Sequence, residues 1–190
     1  MLLPLVSSLN RLPLGQFSST LYKALFLTAY YACLRAGEAV AVPNSNHTLQ
    51  ISQITFHQSA LGQVLRIKFL TFKHSTSSVT LDFNSMPNSI ICPVQSLQNY
   101  LQIRPKLQGN LFLKADGSPI TRQDYVYHLK LGLNLLGYDD KLFNSHSMRS
   151  GRATDLALEG YSSPVIKLAG RWHSSAYEQY IRLAAASFQS

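Results

Sequence analysis

Acidic residues are scarce in this sequence: nine Asp and Glu stand against seventeen Lys and Arg in 190 residues, a formal charge of +8. The nine are scattered, whereas a metal-dependent nuclease needs clustered carboxylates to hold its cations. Cysteine is scarcer still. Cys33 and Cys92 each sit among apolar neighbours with no C-x-x-C pair, which excludes a zinc ribbon or a redox dithiol and reads as two buried free thiols in a reducing compartment. No apolar run reaches the length of a membrane span, because the stretch from Leu21 to Val42 is interrupted by Lys23, Arg35 and Glu38; it reads as a core helix. The opening MLLPLVSSLNRLPLG has two prolines and no charged start, so it reads as a linker and not a signal peptide. The patterns GxSxG, GxxxxGK[ST], HExxH and GxGxxG are all missing. The six histidines, at 47, 57, 74, 128, 146 and 173, show no metal-ligand spacing. Neither a catalytic metal nor another cofactor is expected.

What is present describes a globular chain. It is 46% hydrophobic and 14% charged, which excludes disorder, and it is long enough for one domain with a full core. The basic balance favours a polyanionic partner, nucleic acid or an acidic membrane surface. The positive residues are spread along the chain, so no polybasic membrane patch is visible. Ser18, Ser19 and Thr20 are cap candidates for a helix to about Leu34, followed by a short helix from Arg35 that ends before Pro43. The period then changes: LQISQITF, QVLRIKFLTF and SVTLDF are β-branched and aromatic with polar alternation, giving three strands in an antiparallel meander. Pro93 opens a helix through VQSLQNYLQIR, and Thr121 with Asp124 forms a capping box for a helix to about Leu136. Ser145 is expected to cap SMRSGRATDLALE, which Gly160 terminates. Ser163-Pro164 starts PVIKLAG, and Ser175 with Glu178 caps a final helix, AYEQYIRLAAAS. The predicted architecture is α+β: a mainly helical single domain with a small three-stranded antiparallel sheet.

Several cationic and imidazole groups fall at ordered places in this plan. LRAGE puts Arg35 and Glu38 one helical turn apart, so the carboxylate can hold the guanidinium. FKHS puts Lys73 at a hairpin tip. SHSMRSG puts His146 and Arg149 at i and i+3 near the positive end of a helix. GRWH puts Trp172 and His173 at a turn, and Tyr180 lies about a turn into the last helix. Singly, each has an ordinary explanation: a solvated ion pair, a soluble turn lysine, a chance H-x-x-R, a core aromatic. Together, two arginines and an imidazole can clamp one phosphodiester that a phenol attacks.

In order and spacing, LRAGE, FKHS, SHSMRSG, GRWH and EQYIR resemble the catalytic domain of the tyrosine recombinases, the phage integrase family. The resemblance runs from about Ser18 to Arg182, and the wording GRWHSSAYEQYIR is closest to recombinases of Crypton and DIRS mobile elements. It implies a metal-independent enzyme in which Tyr180 attacks the scissile phosphate and forms a 3′-phosphotyrosyl bond, with no cofactor. Arg35 and Arg149 would bind the non-bridging oxygens, His146 would donate to the phosphate or help manage the tyrosine proton, Lys73 would protonate the leaving 5′ oxygen, and Glu38 would orient Arg35. The spacing leaves open whether Trp172 or His173 meets the phosphate, and Tyr177 is a rival nucleophile. The resemblance further implies double-stranded DNA as partner, self-association of protomers on it, and no membrane. It makes residues 1–17 a linker from an N-terminal DNA-binding domain and 18–190 the catalytic domain. It also implies a nuclear location in a eukaryote and a nucleoid one otherwise. A catalytically silent DNA-binding relative, a type IB topoisomerase and a plain interaction domain are the other readings.

Overall fold

The structure, a computed structural model, describes residues 2–43, 46–60, 62–70, 77–172 and 174–181. Helix α2 (Gly15–Tyr31) forms its axis. Leu21, Tyr22, Leu25, Phe26, Leu27, Ala29 and Tyr30 are all buried, and a helix that is apolar on every side belongs in a core. It starts three residues before the predicted serine caps, and no side chain caps it. Around it pack α1 (Leu2–Ser8), α4 (Pro93–Ile103) and α6 (Ser147–Leu158).

The stretch expected to be a linker belongs to the domain. α1 and the 3-10 turn after it bury Leu5, Val6 and Leu9 completely, and α1 packs on α5 (Arg122–Leu135). Gly132 of α5 permits the approach, since a Cβ there would lie 2.8 Å from Leu5 Cδ1.

The meander is as the alternation predicts. β1 (Ile54–Ser59), β2 (Gly62–Phe69) and β3 (Val79–Asn84) pair antiparallel in the order β1-β2-β3. Ile54 faces Ile67, which faces Leu81, and Phe69 faces Val79, so one face meets the core. Arg66 and Asp82 pair on the other face at 2.6 Å. The beginning of LQISQITF departs, because Ile51–Gln53 is a 3-10 turn, and QVLRIKFLTF leaves the strand after Phe69, its last two residues lying outside the described ones.

The Thr121–Asp124 capping box is present, with Thr121 N–H donating to Asp124 Oδ2 at 2.9 Å and Asp124 N–H to Thr121 Oγ1 at 3.1 Å. Ser145 does not cap α6. That end is closed by Asn144 and Ser147, whose amide and hydroxyl meet at 2.9 Å, while the buried Ser145 Oγ accepts from Arg122 Nε at 3.0 Å. α7 (Ser163–Gly170) carries Pro164 in its first turn as predicted. After it, Ser175–Tyr177 is a 3-10 turn leading into a helical turn at 178–181.

Four helix ends share one motif: two amides return to the last turn, and a residue with positive φ reverses the chain. α5 ends on Gly137 (φ 80°) and α6 on Gly160 (φ 83°). The other two ends have no glycine there. At the end of α2, Leu34 N–H reaches Ala29 O at 2.8 Å and Cys33 N–H reaches Tyr30 O at 3.0 Å, with Cys33 at φ 46°. At the end of α7, Trp172 N–H reaches Lys167 O at 3.0 Å and Arg171 N–H reaches Leu168 O at 3.1 Å, with Arg171 at φ 54°. A side chain in this left-handed conformation costs roughly 1–2 kcal/mol.

Candidate active site

The ends of α2 and α7 face one another, and the guanidinium groups sit between them. The C-terminus of a helix carries unsatisfied carbonyls and the negative end of its dipole, so it attracts cations. Arg149 of α6 donates through Nη1 to Cys33 O and through Nη2 to Gly170 O at 2.6 Å. Arg171 donates through Nη1 to Ala32 O at 2.9 Å and through Nη2 to Cys33 O at 3.4 Å.

Glu38 anchors the other side. It lies in the short helix α3 (Ala36–Ala39), which Arg35 precedes, and it is 2% exposed. Its Oε1 accepts from Arg35 Nη1 at 2.9 Å, and its Oε2 accepts from Arg35 N–H at 2.8 Å and from Arg171 Nη2 at 2.7 Å. Burial alone would raise its pKa, but Arg171 and Arg35 outweigh that and hold it below the ordinary carboxyl value. Arg35 completes its hold through Nη2, which donates to Arg171 O at 3.1 Å. The predicted pairing of Arg35 with Glu38 is therefore present, and it is shared with a third arginine.

Three guanidiniums against one carboxylate leave an excess of positive charge in a largely buried cluster. Arg149 feels it: burial first, and then repulsion from Arg35, push its pKa down to about 10, so it stays charged at neutral pH. Each of Arg35 and Arg149 spends two N–H groups on these internal partners among the described residues. Arg35 is the more open of the two, with its side chain 22% exposed. Arg149 is buried, and the Trp172 ring covers its guanidinium at 4.0 Å, a cation–π contact.

His146 stands at the start of α6, solvent-exposed. Partial burial and the charges of Arg122 and Arg149 lower its pKa below the usual imidazole value, so neutral imidazole dominates at pH 7. The two tyrosines differ. Tyr177 is 1% exposed and packs with Ala153, Leu156 and Ile166, whereas Tyr180 is half-buried at the edge of that cluster. Their rings lie 5.8 and 6.5 Å from Trp172. Lys73 and His173 lie outside the described residues. The structure thus gathers Arg35, Glu38, Arg149 and Trp172 at one place, with Tyr180 beside Trp172 and His146 on the neighbouring helix start. It adds Arg171, which sequence reasoning passed over as part of GRWH; its one sequence signal is a charged residue where a helix stop wants glycine.

Gly170 makes the Trp172 position possible. A Cβ at residue 170 would fall 1.6 Å from Trp172 Cζ3, inside the ring's van der Waals envelope. Gly170→Ala is expected to eject the indole from Arg149. Trp172 is the only tryptophan, so its emission reports the change directly: a red shift with unaltered far-ultraviolet circular dichroism. An unshifted spectrum would place the indole elsewhere.

Among the described residues no His, Cys, Asp and Glu group has the makings of a metal site, and no helix is long and apolar enough to cross a membrane.

No sequence-family model and no curated protein sequence matches the chain. Solved structures do. The XerH site-specific recombinase bound to its difH substrate, in a pre-cleavage complex, superposes with a TM-score of 0.71 at 17% identity, covering 98% of this chain and 50% of that one. An FLP recombinase–Holliday junction complex gives 0.59 at 17% identity, over 93% of this chain and 44% of that one. The Tn1549 transposon integrase in complex with circular intermediate DNA gives 0.52 at 15% identity, over 97% and 61%. The chain spans about half the length of the first two. Its fold is that of the tyrosine recombinase catalytic domain.

Proposed function

We propose that this chain is the catalytic part of a DNA recombinase or integrase that cuts and rejoins duplex DNA through a tyrosine. The observation that carries the reading is the cluster of Arg35, Arg149 and Arg171 around the single carboxylate of Glu38, with Trp172 over Arg149 and the Tyr180 ring 6.5 Å from that indole. A buried surplus of guanidinium charge beside a phenol suits a phosphodiester that must gain negative charge in its transition state. In this mechanism the Tyr180 oxygen attacks phosphorus as its proton departs. The bond from phosphorus to the 5′ oxygen breaks, and Lys73 supplies the proton that oxygen takes up. Arg35 and Arg149 hold the non-bridging oxygens, and His146 either donates to the phosphate or, as a neutral imidazole, takes up the tyrosine proton. A 5′-hydroxyl attacking the phosphotyrosine reverses the steps, so the bond energy is kept and no metal is required. The DNA-bound recombinases that share the fold support duplex DNA as the substrate. Several protomers would assemble on it. A mobile-element role, with nuclear residence in a eukaryotic host, rests on the wording GRWHSSAYEQYIR.

A second reading has one observation in its favour: Arg149 is buried under Trp172 and spoken for by two carbonyls, as in a silent DNA-binding relative. One experiment separates the two. The protein is incubated in EDTA with a pool of nicked duplexes that trap the cleaved state. The expected result is a covalent protein–DNA adduct whose DNA-bearing peptide contains Tyr180. An adduct on Tyr177 would move the nucleophile. Salt-sensitive binding with no adduct would favour the silent relative.

A further inference from the structure

Cys33 and Arg171 are the only non-glycine residues with positive φ among those described, and both are at the proposed site. The same helix stop is made by glycine in α5 and α6, so the backbone alone does not call for arginine. A side chain is kept in such a conformation only where its surroundings over-determine it, and those of Arg171 do. Its side chain is 1% exposed. One Nη meets Glu38 at 2.7 Å, the other meets Ala32 O at 2.9 Å, and the guanidinium lies 3.9 Å from the Phe69 ring centroid at the end of β2. Its main-chain carbonyl, turned inward by the left-handed backbone, accepts from Arg35 Nη2 at 3.1 Å. Its buried Nε has no acceptor, so the group is not optimised as a structural plug.

We infer that Arg171 is a positioning residue for Arg35, fixing it twice over: through the side chain, by bracing Glu38, and through the carbonyl, by holding Nη2. With both Nη groups held, the Arg35 guanidinium plane cannot rotate, and its remaining N–H groups present one fixed edge to a ligand. The same side chain ties together the end of α2, the end of β2 and the segment bearing Trp172. A lysine cannot substitute, because one ammonium cannot reach both Ala32 O and Glu38 as a planar fork does. That the fixed ligand is a scissile phosphate rests on the recombinase reading; the positioning itself does not.

The test uses Arg171→Gly, which keeps the helix stop and removes the fork, and Arg171→Lys, which keeps a charge against Glu38 and serves if the glycine variant does not fold. The first readout needs no DNA: the 15N-detected side-chain signals of Arg35, assigned by loss in Arg35→Lys. Slow-exchanging Nη signals are expected in the parent and averaged ones in both variants. The second is single-turnover cleavage of nicked duplex beside DNA affinity. The rate should fall about 100-fold, as for a catalytic group displaced by about 1 Å, with DNA affinity changed by less than about twofold. Unchanged Arg35 signals, or affinity falling as far as the rate, would overturn the positioning role. A parent protein that forms no adduct sinks the recombinase reading and leaves the Arg35 signals to decide this one.

Discussion

Arg149→Ala is expected to slow DNA cleavage roughly 100- to 1,000-fold, about 3–4 kcal/mol of transition-state stabilisation, the usual loss when one preorganised oxyanion donor is removed. The loss should fall on the rate at saturating DNA, with binding nearly unchanged, because the donor matters most once charge has built up on the phosphate. Arg149 also binds Cys33 O and Gly170 O and lies under Trp172, so stability must be measured beside activity. Hydrogen bonds from a charged donor are worth about 1.5–3 kcal/mol each, and the urea midpoint will drop. Arg149→Lys separates the contributions: it restores the charge without the planar fork, and should recover more stability than rate. A folded Arg149→Ala protein that cleaves at the parent rate would leave the guanidinium with a structural part only.

Glu38→Ala is expected to be the most destabilising single change at the site, by roughly 3–5 kcal/mol, because it strands a fully buried arginine beside a second one. The loss arises less from the missing attraction than from the desolvated charge of Arg171, whose side chain is 1% exposed. Combining Glu38→Gln with Arg171→Met removes both charges and should be milder than the sum of the two single changes. Urea unfolding of the four proteins measures this coupling, and additive losses would mean the pair is not coupled. The pH dependence follows. Arg171 and Arg35 hold the Glu38 pKa below its ordinary value against burial. Its contribution is thus complete above the unfolded carboxyl pKa of about 4.3 and disappears as pH falls through the lower folded value. Glu38→Gln should lose that part of the acid sensitivity.

The local half of this molecule was legible in its residue order. The Thr121–Asp124 box, the proline-led α4 and α7, and the alternation from Ile54 to Asn84 each state their geometry within a few residues. Arg35 with Glu38 was legible for the same reason. Ser145 misled because the residues that close α6, Asn144 and Ser147, straddle it, and its hydroxyl serves Arg122 from another helix. Leu5 and Leu9 were overlooked because prolines at 4 and 13 resemble a linker, whereas their burial depends on α5 more than a hundred residues away. Arg171 was beyond reach for that reason. Its partners Ala32, Cys33 and Glu38 lie 139, 138 and 133 positions earlier, and no periodicity connects them.

That separation has a consequence for how the molecule comes apart. The main core runs from α1 through the sheet to α5 and Met148, whereas Ala153, Leu156, Ile166 and Tyr177 form a second, much smaller cluster under Trp172 and Tyr180. Native proteins open in cooperative units, and the units with least buried apolar contact open first. Here the small unit carries Trp172 and Tyr180, while Arg35 and Glu38 remain with the large one. A partial opening would divide the site along its own middle, leaving a folded domain that keeps Arg35 and Glu38 and loses the phenol. On the recombinase reading such a species would lack its nucleophile while most of the fold stayed intact, so conformational stability and competence need not rise and fall together in this chain.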